Sequence, residues 1–383
     1  MNKKALVIAS MGSMLDNFNK PNIRLLKELG YDVTIAANFN CEDSNSKEKN
    51  DEFCRMMQEE GINIQHIDFS RKLFNISKQI SSIKQTKELL KQGFDLIHCH
   101  SPICAAITRI VANKYRKKGT KIIYTAHGFH FYKGAPIKNW LIYYPIEKFC
   151  SRFTDILITI NHEDYNLAQK KMKAKKNEYV QGVGIDIEKL NKSQVNKNDK
   201  KRDLGIPMDS IIILSVGELS RRKNHETLIK AVDMLKNTKI HCLIAGRGDL
   251  EDYLKSKAKE NCTAEQVHFL GFRTDVADLY NIADFYVHPA FQEGLSVAVM
   301  EAMASGLPCV LSDIRGNRDL IENGEGGFLC NPLLPQEFAT SINKLIHGDD
   351  LCAKMSKRNI VCAKNLDIKQ SNKKMLEIYT SNI

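Results

Sequence analysis

Short apolar runs alternate with longer amphipathic ones along almost the whole chain. In the first half "ALVIAS", "DVTIAAN", "IQHIDF", "LIHCH", "KIIYTAH" and "ILITI" predict strands. Helix patterns lie between them. In "NISKQISSIKQTKELLKQG", Ile76, Ile80, Ile83 and Leu90 share one face, and Gly93 ends the helix. Nearly all-apolar strands separated by helices predict a parallel sheet covered on both sides. The pattern then loosens. "IEKLNKSQVNKNDKKRDLGIP" is polar, lysine-rich and free of strand signal, and it reads as an interdomain connection. A second series follows: "IIILSVG", "IHCLIAG", "VHFLG", "FYVHP", "PCVLSD" and "GGFLC". Each series is large enough for one doubly wound α/β domain. Ligands of such sheets sit beyond the C-terminal strand ends, so two sheets facing each other would share a cleft.

Composition adds bounds to this picture. A chain of 383 residues accommodates two or three domains. Hydrophobic content of 43% and charged content of 26% are ordinary for a soluble globular protein. The eleven cysteines are scattered, odd in number and without a Cys-x-x-Cys pair. That argues against a disulfide framework or zinc site and for a reducing cytoplasm. The start, "MNKKALVIASMGSM", is broken by Gly12 and Ser13 and then Asp16, and reads as a strand and loop rather than a signal peptide. No apolar run approaches the roughly 20 residues of a membrane span.

The net charge of +11 points to anionic partners. Two lysine-rich stretches, "NKYRKKGTK" and "QKKMKAKKNEY", are either solvated surface or an anionic partner surface. Aromatics are not interleaved with them as base-stacking platforms would be, so no nucleic-acid partner is expected. A membrane leaflet and a phosphorylated substrate fit the charge equally well.

The richest chemistry lies in "HPAFQEGLSVAVMEAMASGLPCVLSD". A strand leads into the loop "AFQEG", then into a helix that ends at Gly306. With Glu293 on the loop and Glu301 in the second turn, the two carboxylates can flank a helix start whose free N–H groups suit phosphate. A sugar, a diphosphate and a nucleoside's sugar would match that layout. A surface glutamate plus a helix-dipole partner is the plainer alternative. "VGELSRRKNHETLIKA" places Gly217 and the cations Arg221, Arg222 and Lys223 between a strand and a helix, where they can neutralise a diphosphate without a metal.

Other segments carry weaker signals. Gly12 follows the first strand and permits close backbone approach to a phosphate. "IAGRGDLEDYL" has Glu251 where a dinucleotide fingerprint needs its third glycine, so a tight turn is expected. Gly271 ends a strand, and Phe272 and Arg273 could edge a base pocket. No Asp-x-Asp pair at a strand end announces a divalent metal. His127 lies at a strand's C-terminal edge, where a functional role outweighs a structural one. His98 and His100 point to one face and lack further ligands, so they read as packed or supporting residues. "KNWLIYYPIEKF" holds the single tryptophan, and it reads either as core or as an amphipathic helix touching a membrane.

Taken together, these residues resemble the retaining GT-B glycosyltransferases, and more narrowly the family 4 group that builds bacterial capsule and exopolysaccharide. The resemblance spans essentially the whole chain and is most specific in "EGLSVAVMEAMASGLPCVLSDIRGNRDLI", "VGELSRRKNH" and "AHGFHFYKGAPIKNWLIYYPIE". It implies two Rossmann-like, doubly wound parallel-sheet domains facing a central cleft. An acceptor-side domain would span 1–185, a nucleotide-sugar domain 186–365, and a helix over 366–383 would cross back to the first. In that resemblance Glu293 contacts the donor sugar and Glu301 the ribose hydroxyls. Backbone amides around Leu295, Ser296 and Val297 receive the diphosphate, as does Lys223. His127 lies near the reacting centre, Gly12 and Gly217 face the phosphates, and Arg273 sits by the base. Two departures stand out. Glu218 replaces a common arginine, which shifts the diphosphate contact to Arg221 or Arg222, and Ser296 replaces a common glycine.

The implied activity is retaining transfer of a hexose or N-acetylhexosamine from a UDP-sugar to a saccharide acceptor carried on polyprenyl diphosphate. It would serve cell-surface glycan assembly, with no metal and no cofactor, in the cytoplasm or peripherally on the inner face of the plasma membrane. Catalysis would rest on positioning and on cations facing the leaving phosphate, with domain closure excluding water. A nucleotide-sugar epimerase or another GT-B enzyme such as a phosphorylase is the alternative on the same scaffold. A non-catalytic membrane or nucleic-acid module would leave Glu293, Glu301 and the cation loop unexplained.

Overall fold

The computed structural model describes residues 3–40, 46–70, 75–193 and 195–381. The chain divides into two compact units, Met1–Val183 with Ser371–Ile383, and Gly184–Gln370. The first unit holds strands β1 (Lys4–Met11), β2 (Asp32–Asn38), β3 (Asn63–His66), β4 (Leu96–His100), β5 (Lys121–Ala126), β6 (Ile156–Thr159) and β7 (Lys176–Tyr179). The second holds β8 (Ile211–Val216), β9 (Ile240–Ala245), β10 (Val267–Gly271), β11 (Phe285–His288), β12 (Cys309–Ser312) and β13 (Gly327–Cys330). Spatial order is β3-β2-β1-β4-β5-β6-β7 in one sheet and β10-β9-β8-β11-β12-β13 in the other. Every pairing is parallel. Each sheet therefore starts in its middle, grows to one side and returns to grow on the other.

Strand alternation explains why both faces are covered. Ala5, Val7 and Ala9 of β1 pack in one core cluster, and Leu6 and Ile8 pack in the cluster on the opposite face. Met375, Ile378 and Tyr379, from the helix Ile368–Thr380, complete the first of these clusters. Tyr379 Oη lies 2.7 Å from His98 Nδ1 in β4, tying that helix to the sheet. Among the described residues no helix is long and apolar enough to cross a membrane.

Two local expectations meet a different outcome, and one strand was not expected. The helix Ile76–Leu89 forms, and Gly93 (φ 72°) closes the short 3₁₀ turn after it. However, its buried residues are Ser82, Thr86 and Leu89, while Ile76 and Ile80 are exposed. The period was legible, but the small hydroxyl side is the one that packs, with Ser82 Oγ bonded to Lys78 O at 2.6 Å. The strand β7 carries no apolar run, because it is a half-buried edge strand whose Glu178 pairs with Lys176 and Lys374. The lysine-rich segment from Ile187 is folded into the second unit rather than free. Lys201 is buried with its ammonium on Met208 O (2.9 Å) and Ser210 O (2.8 Å), and Lys200 pairs with Asp275 at 2.6 Å.

Candidate active site

In the second sheet β8 and β11 are spatial neighbours although two strands separate them in sequence. Strand order reverses there, and loops leaving the C-terminal ends at such a point converge on a crevice. One loop carries "GELSRRKN" and the other "PAFQEGLS". Asn224 joins them. It adopts a left-handed conformation (φ 56°, ψ 37°), which asparagine tolerates better than most residues. Its amide donates to Pro289 O (2.9 Å) and Pro332 O (3.0 Å) beyond β11 and β13. Phe291 N–H adds a bond to Arg222 O at 2.9 Å.

This staple brings the cations to the acid. Lys223 Nζ is 2.6 Å and Arg222 Nη1 3.0 Å from Glu293 Oε1, and His288 Nε2 is 3.3 Å from the same oxygen. Burial alone would push the Glu293 carboxyl up. The Lys223 charge, the His288 hydrogen bond and Arg222 outweigh it and hold the group well below the usual carboxylate range. Burial and the Lys223 charge depress His288 in turn, so its ring is neutral at pH 7. Two cations thus face one carboxylate.

The glycines here are fixed by close packing, against a side chain at Gly217 and against backbone at Gly246 and Gly248. A Cβ at Gly217 would lie 3.2 Å from Lys223 Cε and crowd the lysine stem. In the "GRG" turn after β9, a Cβ at Gly246 would lie 1.9 Å from Gly217 O, and one at Gly248 2.4 Å from Leu219 O. Backbone bonds from Gly217 N–H to Ala245 O and from Leu219 N–H to Arg247 O, both 2.9 Å, complete the contact. The turn therefore buttresses the cation loop.

Leu295 and Ser296 are buried just before the helix Val297–Ala304. No side chain caps that helix, and Ser296 Oγ is buried without a partner among the described residues. The helix start is held from below. Arg315 Nε donates to Glu293 O at 3.2 Å, and a Cβ at Gly316 would lie 2.3 Å from Gly294 O. Free backbone N–H groups, the dipole and the unbalanced cation all favour an anion at this point.

Glu301 belongs to a different environment. Its Oε2 is 3.1 Å from Tyr280 Oη, which also lies 3.0 Å from Ala298 O. Burial raises its pKa, so the two glutamates, eight positions apart, are pushed in opposite directions. Arg273 is not gathered into the Glu293 cluster. Its guanidinium is doubly bonded to Asp275, at 2.7 Å and 2.5 Å. Arg221 is exposed, and Glu218 stands 3.9 Å from Arg222 Nη2 at the loop surface.

In the first unit, His127 follows β5 and lies with Nε2 3.1 Å from His100 Nδ1. The rings of His100 and His98 are 4.1 Å apart, and His98 Nε2 is 2.8 Å from Thr125 Oγ1. Burial drives His127 down to about 4 and His98 to about 3, and depresses His100 strongly. All three are neutral at pH 7, so His127 can offer a hydrogen bond but not a cation. His100 Nε2 is buried without a partner among the described residues. Gly12 begins the helix Gly12–Phe18, and a Cβ there would lie 2.7 Å from Phe39 Cδ1, which gives this glycine a packing role. No group of three or more His, Cys, Asp or Glu suited to a metal occurs among the described residues.

Sequence reasoning left Asn224, Tyr280, His288, Arg315 and the His100–His127 contact without roles. Asn224, His288 and Arg315 fell inside the quoted motifs, but only their three-dimensional neighbours distinguish them from ordinary polar residues. Tyr280 lies in a helix pattern that carries no signal of its own.

Residues 196–360 match the family model described as glycosyl transferases group 1, and residues 10–161 match that for glycosyl transferase 4-like domains. The chain is 32% identical over 385 residues to the putative glycosyltransferase EpsD of Bacillus subtilis (strain 168), covering 100% of this chain and 97% of that protein. It is 30% identical to the UDP-Gal:alpha-D-GlcNAc-diphosphoundecaprenol alpha-1,3-galactosyltransferase of Escherichia coli, over 76% of this chain and 79% of that one. Among solved structures, HepE of Anabaena in complex with UDP-glucose has a TM-score of 0.79 at 19% identity, covering 98% of this chain and 99% of that chain. The chain belongs to the family 4 glycosyltransferases of GT-B fold, in the group that includes exopolysaccharide-building relatives.

Proposed function

We propose that this glycosyltransferase moves a hexose or N-acetylhexosamine from a UDP-sugar, with retention of configuration and without a metal, to a saccharide carried on polyprenyl diphosphate. The observation that carries the reading is the convergence of Lys223 and Arg222 on Glu293 beside the uncapped start of Val297–Ala304. A diphosphate at that start would meet N–H groups, Ser296 Oγ and the two cations. It would take over the role that Glu293 plays towards them, freeing the carboxylate for sugar hydroxyls. The cations then face the charge that develops on the leaving diphosphate. Glu301 with Tyr280 offers a separate carboxyl for the ribose hydroxyls. His127, held neutral by burial, would supply the reacting sugar with a hydrogen bond rather than a charge.

The relative from Escherichia coli is named for a UDP-galactose donor and an undecaprenol-diphosphate acceptor. HepE is described with UDP-glucose. The first supports this donor and acceptor class and the second the donor alone, and such an acceptor would place the enzyme peripherally at the inner face of the plasma membrane. The test is UDP release from UDP-glucose, UDP-galactose and their N-acetyl forms, with and without polyprenyl-diphosphate-linked saccharides. Release that requires the lipid acceptor supports the reading. Free UDP and an altered sugar without acceptor would point to an epimerase, and no turnover by folded protein with any pair would overturn the reading.

A further inference from the structure

The first unit exposes an apolar face that the chemistry above does not use. The helix Ile137–Cys150 buries only Glu147 and Cys150. Ile137 is 78% exposed and Leu141 72%, and Phe149 and, in part, Ile146 are exposed towards the helix end. The helix Ile76–Leu89 adds Ile76, 69% exposed, and Ile80. Scattered exposed leucines are normal, but a run along two helices of one unit is not.

A cavity of about 220 Å³ opens beside these helices, walled by Ile83, Ile103, Ile107, Phe131, Tyr143 and Ile146. It is smaller than the ~300–1,000 Å³ of sites for drug-sized ligands, and its apolar wall suits a single hydrocarbon chain. Glu147 lines it too, but is bonded through both oxygens to the buried guanidinium of Arg109, at 2.6 and 3.0 Å.

Charge identifies the partner. Around the Ile137–Cys150 helix the solvent-facing charges Lys133, Lys138, Lys148 and Arg152 are all positive, while Glu147 is buried. On the Ile76–Leu89 helix Lys78, Lys84 and Lys87 are exposed, and Glu88 pairs with Lys91 at 2.6 Å. Cations outnumber carboxylates beside these apolar side chains, and the exposed Glu88 is paired with Lys91, which suits an anionic bilayer with side chains in the acyl boundary and lysines at the headgroups.

We propose that these two helices dock on an anionic phospholipid bilayer and that the cavity takes up an acyl chain of a bilayer lipid. The proposal deepens the lipid-linked acceptor reading and rests on it for its setting. Its evidence is the face itself.

The single tryptophan, Trp140, is a built-in reporter, since its ring packs 5.6 Å from that of Phe131 in the cavity wall. The full chain is mixed with phosphatidylcholine vesicles, with or without phosphatidylglycerol, bearing brominated acyl chains. Expected are co-flotation and Trp140 quenching with the phosphatidylglycerol vesicles only, both weakened by salt. Leu141→Asp lowers vesicle partition roughly tenfold, and Lys138→Glu with Arg152→Glu does the same. UDP titration calorimetry stays unchanged in these variants, which shows that they fold. Equal partition of wild type and Leu141→Asp overturns the docking face. Self-association that Leu141→Asp abolishes, with no vesicle binding, assigns the face to a second copy and overturns it as well. Flotation without quenching overturns the acyl-chain seat. Vesicle binding alongside absent UDP binding would strike the proposed function and leave the docking face standing.

Discussion

Lys223 Nζ stands 2.6 Å from Glu293 Oε1, across two loops that are joined by the Asn224 staple. Under the proposed function this contact is an internal stand-in, with the carboxylate satisfying a lysine that would otherwise hold the diphosphate. Lys223→Ala removes a charge-assisted bond of ~1.5–3 kcal/mol and should weaken UDP binding by roughly tenfold or more. Glu293→Gln should behave oppositely, holding or tightening UDP while abolishing sugar transfer, because it frees both cations. Calorimetry with UDP and a transfer assay on the same proteins separate the two effects.

Gly316 underlies the helix start through van der Waals contact alone. Its Cβ would fall 2.3 Å from Gly294 O, so Gly316→Ala must displace the backbone that presents Leu295 to Val297. A UDP affinity loss of more than about tenfold, with near-normal circular dichroism, is expected, as for other losses of preorganised donors. Unchanged affinity would show that this segment does not hold the diphosphate.

The buried pair Arg109–Glu147 makes a separate stability prediction. Its two short bonds lie among apolar residues, and Arg109 also packs its guanidinium carbon 4.1 Å from the Tyr124 ring centre. Arg109→Met strands a buried carboxylate and should cost about 3–5 kcal/mol. Adding Glu147→Leu should recover most of that loss. Thermal unfolding of the single and double variants checks both statements.

The histidine track of the first unit sets a pH dependence. His98 and His100 are fully buried and held neutral, with His98 at about 3 and the ordinary value at 6.5. Below pH 6.5 the unfolded chain binds protons that the folded chain refuses, so stability rises with pH across this window. It falls as pH drops from 6.5 towards the folded values, by roughly 1.4 kcal/mol per pH unit for each fully discriminating group. Denaturant midpoints between pH 7.5 and 4.5 should decrease, and His98→Gln should flatten the slope.

Much of this was legible before folding. Twelve of the thirteen strands among the described residues coincide with runs picked out from the sequence, and the central ones are apolar because parallel strands buried on both faces need such residues. The polar edge strand β7 was silent, since an edge needs charge rather than apolar side chains. Lys223, Arg222, Glu293 and the helix start were readable as a group, because each follows a strand end that topology brings together. Arg273 shows the limit. Its position after β10 is right for a ligand, but Asp275 two residues on already takes its guanidinium, and spacing alone does not reveal whether a salt bridge is internal. The Ile76–Leu89 helix shows another: amphipathic periodicity identifies two faces but not which one the protein covers.

The helix Ile368–Thr380 bears on the order of synthesis. Met375, Ile378 and Tyr379 fill a core face of the first sheet, yet they leave the ribosome only after the whole second unit has been made. The half of the protein that is translated first cannot finish its own interior until the second unit has been made, and until then His98 lacks its Tyr379 partner.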